Sequence, residues 1–349
     1  MSMEFRVDAS LHAQATVCAA MGSPFYGALL DAAARDYRNG GPVRAFFDAS
    51  PQRRTASHIG IRLMGALHLR ALDGSAPALA RHFPSCGGDG DADAAWREAR
   101  RLLAEEVERF AAPYERTPQT NEVARTMPLL GGLLAIADSV RLPIRLLDVG
   151  TSAGLNLRLD RFRYEGADWS WGDPASTLVL RNSTIGGRPA HLDVRPRVVE
   201  RAGCDLHPLD VVRESDCLEL RSFVWADQRE RFQRLEAATA IARAVPAALD
   251  AADFLEWIPR CAVPQEGVTT VVMHSVVTEH LTAEVHEQMQ RAIEDACNAA
   301  TPASPMAWLR LEPLGTYPYE TRVTFWPSGE ERLIARSDGH AQSIEWIAG

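Results

Sequence analysis

The stretch Ile144 to Asn156, I-R-L-L-D-V-G-T-S-A-G-L-N, passes from an apolar strand through a glycine turn into a helix start within thirteen residues. A short apolar run ending in an acid, followed by Gly150 and Gly154, is how an open α/β sheet builds a ligand cradle at the carboxyl ends of its strands. Few other folds use such a segment, so it sets the frame for the rest of the chain.

With 349 residues, 46% of them apolar, the chain can bury a large core, and its length suits two domains. The formal charge of -9, with no dense basic stripe, argues against nucleic acid as a partner. All 37 basic residues are arginine. A Walker-type phosphate loop, a pyridoxal Schiff base, a lysine nucleophile and a Ser-Lys dyad each need an amine that is missing here. The six cysteines are scattered with no C-x-x-C pair, which suits a reducing cytoplasm. The opening M-S-M-E-F-R-V-D has no apolar signal core, and the greasiest stretch, Leu129 to Val140, reads as too short to span a bilayer. The expectation is a soluble cytoplasmic protein with no membrane partner.

From Ala9 to about Arg141 the apolar residues recur at helical spacing. Ser23-Pro24 marks a helix start, Asn39-Gly40-Gly41-Pro42 a stop, and Asp93 a cap for a helix over 94–110. Residues 1–140 are therefore expected to form an all-helical cap domain over the sheet's carboxyl edge. Beyond it, β-rich runs at 144–149, 197–205, 268–274 and 305–312 alternate with helices and predict a mostly parallel sheet over 141–349. Short runs at 322–326, 332–335 and 342–347 predict antiparallel strands at its edge. Residues 162–194, aromatic and Gly-rich, read as a hairpin insertion. Its Trp169 and Trp171 would share one strand face, either as packing or as a substrate-stacking wall.

Three ligand classes compete for the glycine turn. A dinucleotide G-x-G-x-x-G needs glycine where Ser152 and Leu155 stand. Gly150-x-Ser152-x-Gly154 is formally a nucleophile elbow, with Asp250 and His274, His280 or His340 following in triad order, but no strands or oxyanion loop precede it. The third class is S-adenosylmethionine, whose sulfonium carries no phosphate and asks for an acid-lined pocket.

Asp148 with Gly150 and Gly154 resembles motif I of the class I methyltransferases, D-x-G-x-x-x-G. The segments Gly203 to Pro208, Ala248 to Ala251 and Val271 to Val276 are similar to their later motifs. The resemblance implies a Rossmann-like fold. Asp148, Gly150, Ser152, Gly154 and Asn156 would hold the ligand's tail, Asp205 its ribose and Asp250 its adenine. Asp205 lies well beyond the ~20 residues that usually separate glycine turn and ribose acid. The insertion accounts for that, or else Glu165 or Asp168 takes the role. Phrases such as Gln119-Thr120-Asn121-Glu122, Arg201 to Asp210, Val224 to Gln228 and Trp308 to Pro313 further resemble an uncharacterised bacterial family, a domain of unknown function, along nearly the whole chain.

Methyl transfer to a small molecule needs alignment and, where a proton is lost, a base. His274 at a strand end is the first candidate for that base, the alternative being a hydrogen-bonded structural histidine. Glu122 and Asn121 would belong to a lid, or Thr120 or Asn121 would be a plain helix cap. Trp225, Gln228 and Arg310 would contact substrate, with Arg310 and Glu312 as a clamp or an ion pair. A metal set of His274, Glu279, His280 and His286 lacks H-E-x-x-H spacing, and no metal is expected. A fold of this kind could also bind an adenosyl ligand without turnover.

Overall fold

The computed structural model describes residues 7–55, 57–181, 183–313, 315 and 317–347, so most of the amino-terminal stretch read above for a signal core lies outside the described residues. The chain divides into two compact units, Met1–Thr120 with Val212–Gln233, and Asn121–Val211 with Arg234–Gly349.

The first unit is helical: Val7–Ala20, Pro24–Arg38, Pro42–Asp48, Pro51–Thr55, Ile59–Leu72, Pro77–Ala80, Ala92–Glu105, Val107–Glu115 and Glu214–Ser222. Pro24, Pro42 and Pro77 each open a helix, where the missing N–H costs nothing. The core gathers Leu29, Leu30, Phe46, Phe47, Leu63, Leu67, Phe110 and Tyr114, all fully buried. Phe46 stands edge-on to both Phe47 and Tyr114, with ring centroids 5.4 and 5.1 Å away. The cap expected at Asp93 is Asp91, whose Oδ1 accepts from Ala94 N at 2.9 Å; that helix stops at Glu105 instead of running to 110.

The second unit is mixed α/β around a nine-stranded, mostly parallel sheet. Its strands are β1 (Ile144–Val149), β5 (Ser183–Gly186), β6 (Val198–Asp205), β7 (Ala248–Ala251), β8 (Thr269–Ser275), β9 (Met306–Pro313), β10 (Tyr319–Trp326), β11 (Glu331–Ser337) and β12 (Ser343–Trp346). Strands β2 (Arg163–Glu165), β3 (Ser170–Trp171) and β4 (Val179–Arg181) form a small separate sheet. The large sheet runs β5-β12-β11-β10-β9-β8-β1-β6-β7. β7, β6, β1, β8 and β9 are parallel to their neighbours, while β10, β11 and β12 pair antiparallel. From β1 the chain goes outward first through β6 and β7, then on the other side through β8 and β9. The strand order therefore reverses beside β1, where such sheets open a crevice. β5, contributed by the insertion, pairs parallel with β12, so the antiparallel edge carries one extra parallel strand.

Every residue of β1 is buried, as a strand covered on both faces must be. On one face, Leu147, Val149, Val272 and Trp308 pack with Trp257, Met289 and Ile293 from helices Phe254–Cys261 and Ala283–Cys297. The other face receives helix Thr126–Val140. Any side chain at Gly131 would strike Trp346 at 2.5 Å, and any at Gly132 would strike Leu309 at 2.3 Å. This close approach is why the helical unit ends at Thr120 and not near 140. The span Val123–Val140, with mean hydropathy 1.3, is long and apolar enough to cross a membrane, contrary to the shorter stretch read from sequence; 83% of it is buried inside the protein.

Trp169 and Trp171 do not line a common wall. Trp169 meets Trp346 edge-on at 6.1 Å, whereas Trp171 packs on Tyr164 and donates its indole N–H to Val194 O.

Candidate functional site

The glycine turn follows β1 at the reversal of strand order. Gly150, Ser152 and Gly154 have φ of +68°, +54° and +67°, a left-handed sequence that folds the loop back onto the strand ends. Most of the turn's backbone donors are spent on the protein. Gly150 N and Thr151 N donate to Cys204 O at 2.9 and 3.0 Å, Ser152 N to Asp205 Oδ2 at 3.0 Å, Gly154 N to Thr151 O at 2.7 Å, and Leu155 N to Asn121 Oδ1 at 3.1 Å. Below it, the Arg158 guanidinium donates to the carbonyls of Gly154, Val245 and Ala242, and burial lowers it to about 10.

Two carboxylates close on this loop. Asp148, 4% exposed, accepts from Thr151 Oγ1 at 2.8 Å, and burial pushes its carboxyl up to about 7 against the lowering effect of that bond. Asp205, at the end of β6, takes Ser152 N on one oxygen and His207 N, at 2.9 Å, on the other. Asp205 thus lies beside the turn in space despite the long sequence gap. Glu165 sits instead in the small sheet with Arg163 and Arg181, and Asp168 is exposed. Two buried polar atoms beside the turn, Ser152 Oγ and Asn156 Oδ1, have no hydrogen-bond partner, although Asn156 Nδ2 reaches Ser275 Oγ at 3.4 Å.

A family model matches residues 8–346, spanning both units, the turn and both acids. The chain belongs to the family described as an uncharacterized protein conserved in bacteria (DUF2332). Neither a curated protein nor a solved structure matches it.

Several residues expected at the site are engaged with the protein or stand elsewhere in this DUF2332 chain. His274 is 1% exposed with both ring nitrogens engaged: Nδ1 lies 2.6 Å from Glu312 Oε1, and Nε2 accepts from Trp308 Nε1 at 2.9 Å. An imidazole that accepts at Nε2 and donates at Nδ1 has no lone pair left for a substrate proton. Glu312 also accepts from Val277 N, Thr278 N and Thr278 Oγ1 at 2.9, 3.2 and 2.6 Å, fixing the loop after β8. It therefore does not clamp with Arg310. Arg310 stacks 4.1 Å above the Trp308 ring and donates to Thr324 Oγ1 and Glu331.

Asp250 faces helix Phe254–Cys261, where its Oδ2 accepts from Trp257 Nε1 at 2.7 Å; in register, Ala251 is the residue beside Asp205. Glu122, not Thr120 or Asn121, caps the turn before helix Thr126–Val140, with Oε1 accepting from Ala124 N at 3.1 Å. Asn121 instead holds the glycine turn through Leu155. Trp225 and Gln228 belong to the helical unit. Trp225 is buried near Tyr26, and Gln228 bonds Met21 O and Arg231 there.

The elbow reading meets a direct obstacle, since a nucleophile must stand exposed beside a base. Ser152 Oγ is buried, and no histidine among the described residues bonds to it. Among the described residues no three His, Cys, Asp or Glu groups gather as a metal would need. All six cysteines are free thiols.

The sequence reading passed over Arg125 and Tyr319 beside this site and weighed Glu279 only in a metal set. Arg125, Tyr319 and Glu279 meet around the turn at Gly339: Arg125 Nε donates to Gly339 O at 2.8 Å, and the Tyr319 hydroxyl donates to Glu279. Val277, two residues before Glu279, packs on the glycine turn so closely that a Cβ at Gly150 would lie 2.7 Å from it. The only sequence signal for these residues was position: Arg125 follows Gln119 to Glu122, and Glu279 follows the strand that ends in His274 and Ser275.

Proposed function

We propose that the sheet unit is a Rossmann-like, class I methyltransferase-type domain that binds S-adenosylmethionine and transfers its methyl group to a small molecule. One observation carries this reading: the turn at the strand reversal offers acids in place of donors. With the N–H groups of Gly150, Thr151, Ser152, Gly154 and Leu155 spent on the protein, the loop leaves few donors to cradle a pyrophosphate, whereas Asp148 and Asp205 stand beside it for a cationic, phosphate-free nucleoside.

The residues present fit such a ligand. Asp205 keeps lone pairs free for ribose hydroxyls after taking one N–H on each oxygen, and the exposed Leu206 beside it gives apolar surface for a base. The unpartnered Ser152 Oγ and Asn156 Oδ1 suit the carboxylate and ammonium of an amino-acid tail. When bound, the sulfonium supplies an electrophilic methyl; the chain's contribution is to align the acceptor and exclude water.

The engagement of both His274 nitrogens favours a second reading, binding of an adenosyl ligand without turnover. Calorimetry with S-adenosylmethionine and S-adenosylhomocysteine tests the shared premise. Saturable binding lost in Asp205→Ala supports it, while absence of binding together with fluorophosphonate labelling of Ser152 would restore the hydrolase. Product formation with an acceptor pool then separates transferase from binder.

A further inference from the structure

Arg125 is 92% buried, being 8% exposed, yet only its Nε is bonded; its two terminal nitrogens make no hydrogen bond or ion pair among the described residues. Burial presses its guanidinium below the ordinary range, so the protein sustains a costly cation there. The acids that act on it are Glu122, Glu279 and Glu312, with Tyr319 beside them. Glu312 is spent on His274, Val277 and Thr278, and Glu122 on Ala124 with Arg234 3.9 Å away. Glu279 differs, because its bonded partner is the neutral Tyr319 hydroxyl and no cation lies within 4.0 Å among the described residues.

One tyrosine thus stands between a buried guanidinium whose terminal nitrogens make no hydrogen bond and an exposed carboxylate whose bonded partner is a neutral hydroxyl. Gly339 makes the arrangement feasible, since a Cβ there would lie 3.0 Å from the Tyr319 oxygen. Tyr319 is itself raised above the usual phenol range, first by burial and then by Glu279, so it remains a proton donor at physiological pH. A simple anion would meet Glu279, and a simple amine would meet Arg125. A ligand carrying both charges satisfies both.

We propose that Arg125 and Glu279, with Tyr319 beside them, bind a small amino acid, its carboxylate on Arg125 and its ammonium on Glu279. The place of Glu279 two residues after Val277, which packs on the glycine turn, makes this the acceptor site. That role rests on the adenosyl reading, but amino-acid binding does not, so the test contains no adenosyl compound.

The full chain is titrated by thermal shift and then calorimetry with the twenty common amino acids, and each hit with its primary amide and its decarboxylated amine. At least one amino acid should bind, with amide and amine at least about tenfold weaker, and Glu279→Gln, which keeps an acceptor for Tyr319, should weaken it about tenfold or more. Arg125→Gln should do the same if it folds; Glu279→Gln, at an exposed site, carries the test if it does not. The proposal is overturned if no amino acid binds at about 10 mM, if amide or amine binds as well as the acid, or if Glu279→Gln leaves affinity unchanged.

Discussion

His274 and Glu312 face each other across adjacent parallel strands, Nδ1 to Oε1 at 2.6 Å, with the Trp308 indole closing the other side of the imidazole. Burial raises the Glu312 carboxyl, but the donors from His274, Thr278 and Val277 together bring it below the usual range. The pair is a buried fastener for the loop after β8. Glu312→Ala should cost on the order of 3 kcal/mol in urea unfolding, and His274→Ala a comparable amount, because each leaves the other's polar atoms buried and unmatched. A His274 variant that kept full stability yet lost methyl transfer would instead reinstate it as the base.

Asp148 makes stability fall as pH rises. Its folded carboxyl, pushed up to about 7 by burial, lies above the unfolded value, so the folded state holds the extra proton between the two. Below the unfolded value the group contributes nothing; above about pH 7 the full penalty, on the order of 4 kcal/mol, is present. Asp148→Asn should therefore unfold at a higher temperature than wild type at about pH 8 and near the same temperature at about pH 4. A sulfonium ligand should bind more tightly as the same carboxyl ionises, a trend that Asp148→Asn should flatten.

Gly154 and Gly329 share a left-handed backbone, φ +67° and +73°, but only Gly154 has neighbours where a Cβ would go, Arg158 Nη1 and Leu249 Cδ2 each at 2.9 Å. Alanine at Gly329 should cost about 1 kcal/mol, from backbone alone. Gly154→Ala should cost about 1–3 kcal/mol more, and should weaken adenosyl binding by moving Ser152. Paired denaturant curves check the difference.

In the helical unit, Asp227 caps helix Pro24–Arg38 from a distant part of the chain, its oxygens taking Ser23 Oγ at 2.5 Å and Phe25 N at 3.1 Å. The Ser23 side chain makes no cap bond itself. Asp227→Ala should destabilise that unit by about 1–2 kcal/mol, whereas Ser23→Ala should cost less because Phe25 N keeps its acceptor.

The strands were legible because their chemistry is local. β1, β8 and β9 are apolar runs bounded by turn residues, and their order follows from alternation with helices. The turn with Asp148 and Asp205 could be read as well, since Gly150 and Gly154 must be where the backbone turns left-handed. The fate of polar side chains was not legible. Nothing local marks that Trp308 and Glu312, both on β9, occupy the two nitrogens of His274, or that Asn121 reaches Leu155 and leaves the capping to Glu122. The Arg125–Tyr319–Glu279 group joins residues from three distant segments through Gly339, a meeting set by sheet order and not by spacing.

The central claim is that an adenosyl ligand lies over the turn between β1 and β6. A crystal structure of the chain grown with S-adenosylhomocysteine tests it most directly. The account predicts ribose hydroxyls on the Asp205 carboxylate and the amino-acid tail against Ser152 Oγ and Asn156 Oδ1; density for the ligand elsewhere, or none at saturating concentration, would contradict it.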